Sequence, residues 1–169
     1  MIIVMKHAEV KFIIGLGNAK RRYGRTYHNV GHLFADFVRE KFMVLKNSGF
    51  MNEAGGFAAK TLKKSGAKPA ELLVAHDDSD LLLGTYKLQF GRGAAGHKGV
   101  SSIIASLHTK NFWRLRIGIR VNPRRDQRES AYRLKAEEFV LKPVSAAHKK
   151  ILEEVFARAA EELVANIRI

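Results

Sequence analysis

Five polar residues, each placed where an apolar run ends, have the types that acid–base chemistry needs: Asn18, His28, Asn52, Asp77 and His97. They lie in the strings FIIGLGN, YHNVGH, FMNEAG, VAHDDSD and GAAGHKG. An imidazole, with an unperturbed pKa of ~6.5, exchanges protons near neutral pH. A carboxylate can accept the second N–H of such a ring, fix its tautomer and favour its cation. Each asparagine offers one carbonyl acceptor and two donors, a set suited to a peptide main chain or a carbonyl oxygen. Taken singly, the same residues have simpler readings: His28 as a cap or surface histidine, Asp77 as a turn cap beside Asp78 and Asp80, and both asparagines as turn or cap residues.

Residues so far apart in sequence converge only if the fold gathers them, as an open α/β sheet does at its strand ends. The apolar run at residues 12–16 predicts a buried, central strand that stops at Gly17-Asn18. Helical spacing follows over 30–42, and residues 42–45 form a short strand candidate. A helix over 53–64 would be capped by Asn52 and closed by Ser65-Gly66. Strands are expected at 71–75 and 85–90, with Asp77 falling at the end of the first. A glycine-rich loop (91–99), a helix (100–107) and a strand (112–119) come next. Residues 122–135 read as a charged loop without a core. A long amphipathic helix, started by Pro143, closes the chain over 144–167. This alternation predicts one α/β domain over residues 1–169, a mixed, mainly parallel twisted sheet with helices on both faces.

Composition narrows the function. Thirty Lys and Arg against 16 Asp and Glu leave a formal charge of +14, which favours a polyanionic partner, nucleic acid first. The chain has no cysteine, which excludes disulfides and cysteine-ligated metal or iron–sulfur sites. No apolar stretch approaches the ~18 residues of a membrane span. The opening MIIVMKHAEVKF lacks the pattern of a secretory signal, so a cytoplasmic location is expected, or a mitochondrial or plastid one after loss of a presequence. In GRGAAGHKG, His97 stands where a phosphate loop needs its lysine, and GLGNAK ends in Lys20 where a dinucleotide fingerprint needs glycine. No cofactor is expected. His28 and His32, four apart, and HDDSD give a weak metal signal without H-E-x-x-H, and no metal is expected either.

With RLRIGI added, the six strings stand in an order that resembles the bacterial-type peptidyl-tRNA hydrolase family from about Lys11 to the closing helix. The resemblance implies a metal-free esterase that hydrolyses the ester between a peptide and the terminal ribose of tRNA. It implies that His28 is the base and Asp77 its support. Asn18 and Asn52 would orient the peptide and carbonyl, Tyr23 and Phe50 would be aromatic contacts of the cleft, and His97 with Lys98 would border it. Phe50 also reads as a core residue. The family's 5′-phosphate clamp would fall on Arg116, with Gln89 where a lysine is usual and Lys87 and Arg92 as substitutes.

Besides Gln89, three features depart from the family pattern. Lys98 replaces the asparagine of G-H-N-G, so a donor–acceptor becomes a donor only. Ala19-Lys20 replaces Pro-Gly after Asn18, and the segment between Lys41 and Phe50 is too short for an additional strand pair, which predicts a smaller sheet. These departures support a second reading, an inactive RNA-binding relative working in an RNA–protein assembly such as an organellar ribosome or splicing complex. The oligomeric state is not legible in the sequence.

Overall fold

The computed structural model describes residues 8–121 and 136–168, so the charged loop expected at 122–135 lies outside the described residues. Strands β2 (Phe12–Gly15), β3 (Val44–Lys46), β4 (Leu72–Leu82), β5 (Tyr86–Phe90) and β6 (Trp113–Arg120) form one sheet in the order β3-β2-β4-β6-β5. All neighbours pair parallel except β5, which runs antiparallel to β6. β1 (Ala8–Glu9) and β7 (Ile167–Arg168) make a separate parallel ribbon. The helices are α1 (Val30–Val38), α2 (Ala54–Ser65), α3 (Lys98–Leu107) and α4 (Ala146–Asn166), with a helical turn at Ala136–Phe139. This is the mixed, mainly parallel α/β architecture expected.

Strand alternation sends each side chain to one of two cores. Ile13, Leu73, Ala75, Leu115 and Ile117 pack with α1 and α4 on one face, while Ile14, Leu16, Leu72 and Val74 pack with α2 and α3 on the other. Because β2 feeds β3 on one side while β4 lies on the other, a crevice opens beyond the carboxyl end of β2. There the chain turns through Gly17 and Asn18.

Close approach of backbones tightens that corner. A Cβ on Gly31 of α1 would overlap the backbone oxygens of Ala75 and Leu16, and one on Gly15 would overlap Gly31 itself. Gly31→Ala is therefore expected to destabilise by about 3 kcal/mol, because backbone cannot yield as a flexible side chain can. A urea titration showing a loss below about 1 kcal/mol would contradict that packing.

Several boundaries differ from expectation for identifiable reasons. α1 stops at Val38, short of residue 42, because the chain folds back with Lys41 and Phe42 N–H both donating to Val38 O. Asn52 does not cap α2; it sits within the 3-10 turn Met51–Glu53, closed by the Glu53 carboxylate accepting from Phe50 N–H at 2.6 Å. Gly66 does end α2, in the left-handed region at φ +68°. β2 is an interior strand, but the central one is β4, which continues well past Ala75. The polar HDDSD string stays extended because β6 runs beside it, with Asp77 opposite Ile117 and Asp78 opposite Gly118, before the register shifts between Asp78 and Leu82. Only the three-residue β3 lies between α1 and Phe50, in keeping with the smaller sheet expected.

Candidate active site

The crevice widens into a cavity of about 720 Å³ lined by Asn18, His28, Phe50, Met51, Asn52, residues 77–80, residues 94–98, Val140 and Leu141. Asp77 lies two residues past the end of the β2 ladder at Gly15–Ala75, on the strand face that packs against α1. His28 arrives just before α1, in the 3-10 turn Tyr27–Asn29. Its backbone N–H donates to Val140 O at 2.8 Å, and Thr26 bridges Pro143. Tyr27 is buried against Phe139, with ring centroids 4.4 Å apart. The segment before α4 thus fixes the backbone that presents His28.

His28 Nδ1 lies 3.0 and 3.1 Å from the two Asp77 oxygens, so Nδ1–H donates to the carboxylate and Nε2 is the nitrogen left to accept a proton. His97 Nε2 also lies 3.0 Å from Asp77 Oδ1, its ring centroid 5.5 Å from that of His28. At the start of α3, His97 Nδ1 accepts from Val100 N–H at 3.3 Å, which puts the His97 proton on Nε2, donating to Asp77. One carboxylate, 4 % exposed, therefore organises two imidazoles. Burial alone would raise the Asp77 carboxyl, but the adjoining His97 and His28 hold it well below the usual carboxylate range. Burial also opposes charge on His28, yet the hydrogen bond and charge of Asp77 outweigh it and raise the ring above its ordinary value, with Lys98 opposing.

His76, next on β4, is buried with its ring 4.6 Å from that of His97, and Nδ1–H donates to Asp77 O at 2.7 Å. Burial, then the neighbouring His97, pushes it far below its ordinary pKa, so His76 is a neutral wall behind His97. The His28, Asp77 and His97 ligand atoms lie within 4.8 Å of one another, near enough to meet on a cation, and each is already joined to another by a hydrogen bond. His28 and His32 do not form a pair as their spacing suggested: His28 faces Asp77, whereas His32 Nε2 lies 2.8 Å from Asn47 Oδ1.

The other expected site residues divide. Asn18, Phe50, Asn52, His97 and Lys98 line the cavity. Phe50 is 44 % exposed, which removes its reading as core, and the Lys20 ammonium sits 4.6 Å from its ring centroid. Tyr23 is outside the cavity, under the Arg22 guanidinium at 4.7 Å. Arg116, Lys87 and Arg92 are beyond it as well, Arg116 and Lys87 facing one another on β6 and β5. Arg116 is not an unengaged cation: Nε donates to Asp78 Oδ2 at 2.6 Å and Nη1 to Gln89 Oε1 at 2.8 Å. Gln89, standing where a lysine was expected, thus takes up a donor of the guanidinium it was to assist. Arg114 beside it is only 2 % exposed, its Nε has no hydrogen-bond partner among the described residues, and burial followed by repulsion from Arg116 lowers it to about 10.

Sequence reasoning missed Val140 and Leu141, because nothing in a charged segment before Pro143 signals that it returns to the site. It also passed over Asn29 and Asn47, whose side chains hold the Gly17-Asn18 turn.

An open α/β sheet with an imidazole–carboxylate pair at its crevice defines a class of proteins equipped for proton-transfer chemistry on a bound ligand. Within that class, the model of the family described as peptidyl-tRNA hydrolase matches residues 34–168. A peptidyl-tRNA hydrolase of Thermodesulfovibrio yellowstonii is 33 % identical over 92 % of this chain and 91 % of its own length. One from Mycobacterium ulcerans is 40 % identical over 66 % of this chain and 71 % of its own. The crystal structure of the Acinetobacter baumannii peptidyl-tRNA hydrolase superimposes with a TM-score of 0.80, covering 95 % of this chain and 90 % of that one at 23 % identity, and so shares the fold. The chain belongs to the peptidyl-tRNA hydrolase family.

Proposed function

We propose that this chain hydrolyses peptidyl-tRNA, with His28 as general base and Asp77 as its support. The contact that carries the reading is His28 Nδ1 on the Asp77 carboxylate, made in a cavity that also holds Asn18 and Asn52. Water bound beside His28 gives a proton to Nε2 as its oxygen attacks the ester carbonyl. Asp77 stabilises the imidazolium so formed. The tetrahedral adduct then expels the ribose oxygen, which takes that proton, leaving tRNA and the peptide's carboxylic acid, which gives its proton to solvent. Asn18 Oδ1 accepts from Met51 N–H at 3.2 Å, so its Nδ2 is the end turned to a substrate acceptor. Asn52, exposed on its turn, supplies a second amide.

The charge of +14 supports tRNA as the partner. Affinity for tRNA is expected to fall roughly tenfold or more between 50 and 200 mM salt, because phosphate contacts release counterions; an affinity flat with salt would count against binding to the tRNA body. The decisive assay is release of the acyl group from a blocked aminoacyl-tRNA in single turnover, with no release rejecting hydrolysis.

Lys98 gives a finer test. Its charge opposes protonation of His28, so Lys98→Asn is expected to move the acid limb of the pH–rate profile upward. The plateau rate should stay equal or rise, since the amide regains an acceptor beside His97. A limb that stays in place would place Lys98 away from His28.

A further inference from the structure

Ala19 and Lys20 force no particular turn, so the direction of Asn18 has to be set by whatever grips Gly17 and Asn18. Two amide side chains do this. Asn47 Oδ1 accepts from Gly17 N–H at 3.0 Å while its Nδ2 donates to Gly17 O at 2.6 Å. Asn29 Oδ1 accepts from Asn18 N–H at 2.8 Å while its Nδ2 donates to Asn18 O at 2.9 Å. Consecutive residues are thus held at both N–H and C=O, as a β-ladder would hold them.

Asn47 uses all of its hydrogen-bonding capacity. Its second donor reaches Gly49 O at 3.3 Å, and its second lone pair accepts from His32 Nε2 at 2.8 Å. Because Gly17 N–H can only donate, the oxygen of Asn47 must face it, and the His32 proton must then sit on Nε2. Burial pushes His32 below its ordinary pKa and keeps it the neutral donor this pairing needs. The packing has no slack, since a Cβ on Gly17 would come within 2.7 Å of His32 Cγ and 3.0 Å of Asn29 Cγ. Asn47 is 1 % exposed, and neither it nor His32 lines the cavity.

We propose that Asn47, oriented by His32, is a positioning residue that aims the Asn18 amide at the substrate without touching the substrate itself. The proposal rests on the substrate role given to Asn18 above. It extends the site outward from the cavity through β3's end to α1, along Asn18, Gly17, Asn47 and His32.

A double-mutant cycle in the full-length chain tests it, with every variant assayed well below its melting temperature. Asn47→Ala is expected to lower kcat/KM by ~10-fold, the order expected of a misplaced substrate-orienting group, and to cost under ~2-fold in an Asn18→Ala background. His32→Leu should give a smaller loss with the same dependence on Asn18, and His32→Gln should retain activity because its amide N–H can still donate to Asn47. If Asn47→Ala does not fold, the His32→Leu and Asn18→Ala pair makes the same cycle. Losses that multiply would show that Asn47 and His32 act independently of Asn18, which overturns the positioning role alone. An unchanged kcat/KM in Asn18→Ala would overturn the substrate role of Asn18 and the proposal with it.

Discussion

His28→Ala is expected to reduce the single-turnover rate of ester hydrolysis by ~10²- to 10⁴-fold, the usual contribution of a positioned general base. The effect should fall on chemistry rather than binding. His28 contacts Asp77 through Nδ1, and the backbone N–H that donates to Val140 O is retained by alanine, so the fold of the 25–30 segment has no reason to change. Affinity for tRNA, set by lysines and arginines elsewhere, should stay within about twofold because counterion release involves only the cations that meet phosphate. Turnover at the wild-type rate would remove His28 from the mechanism and leave the cavity's other imidazole, His97, to be tested next. Lost binding together with lost turnover would place His28 in the RNA contact instead.

Asp77→Asn is expected to lower the plateau rate by ~10²-fold or more, since an amide does not stabilise the imidazolium as a carboxylate does and can present an N–H to His28 Nδ1, favouring the wrong tautomer. The pH dependence has a definite sign. Asp77 raises the pKa of His28, so its loss lets burial lower that pKa, and the acid limb of the rate profile should shift to lower pH even as the plateau falls. A limb that stays in place would break the pairing. Stability carries an independent sign. The Asp77 carboxyl is held below its unfolded value of about 3.9, so its contribution is present above that pH and is lost as pH falls further. Acid unfolding of Asp77→Asn should accordingly begin from a less stable protein and show a shallower fall below pH ~4.

Arg116 was judged from its neighbours in the chain, whereas its environment comes from distant segments; Tyr23 and Asn52 lie in local turns, Tyr23 beside Arg22 and Asn52 between Met51 and Glu53. Arg116 suits phosphate by type, but the fold gives it Asp78 from β4 and Gln89 from β5. His28 and His32 share a helical spacing, yet a 3-10 turn separates their directions and each finds its partner on a different strand or loop.

What the sequence determined by itself was the alternation of strands and helices, the polyanionic character of the partner, and the identities of the residues able to move a proton or orient a carbonyl. These follow from side-chain type and local period, which need no knowledge of contacts. Tertiary structure alone decided that Asp77 meets two imidazoles, that β4 continues through HDDSD because β6 pairs with it, and that Val140 and Leu141 close the cavity. It also decided which buried amides hold Asn18. A hydrogen-bond partner is chosen by proximity in the folded chain, and residues 30 apart, such as Gly17 and Asn47, carry no mark in sequence that they will meet.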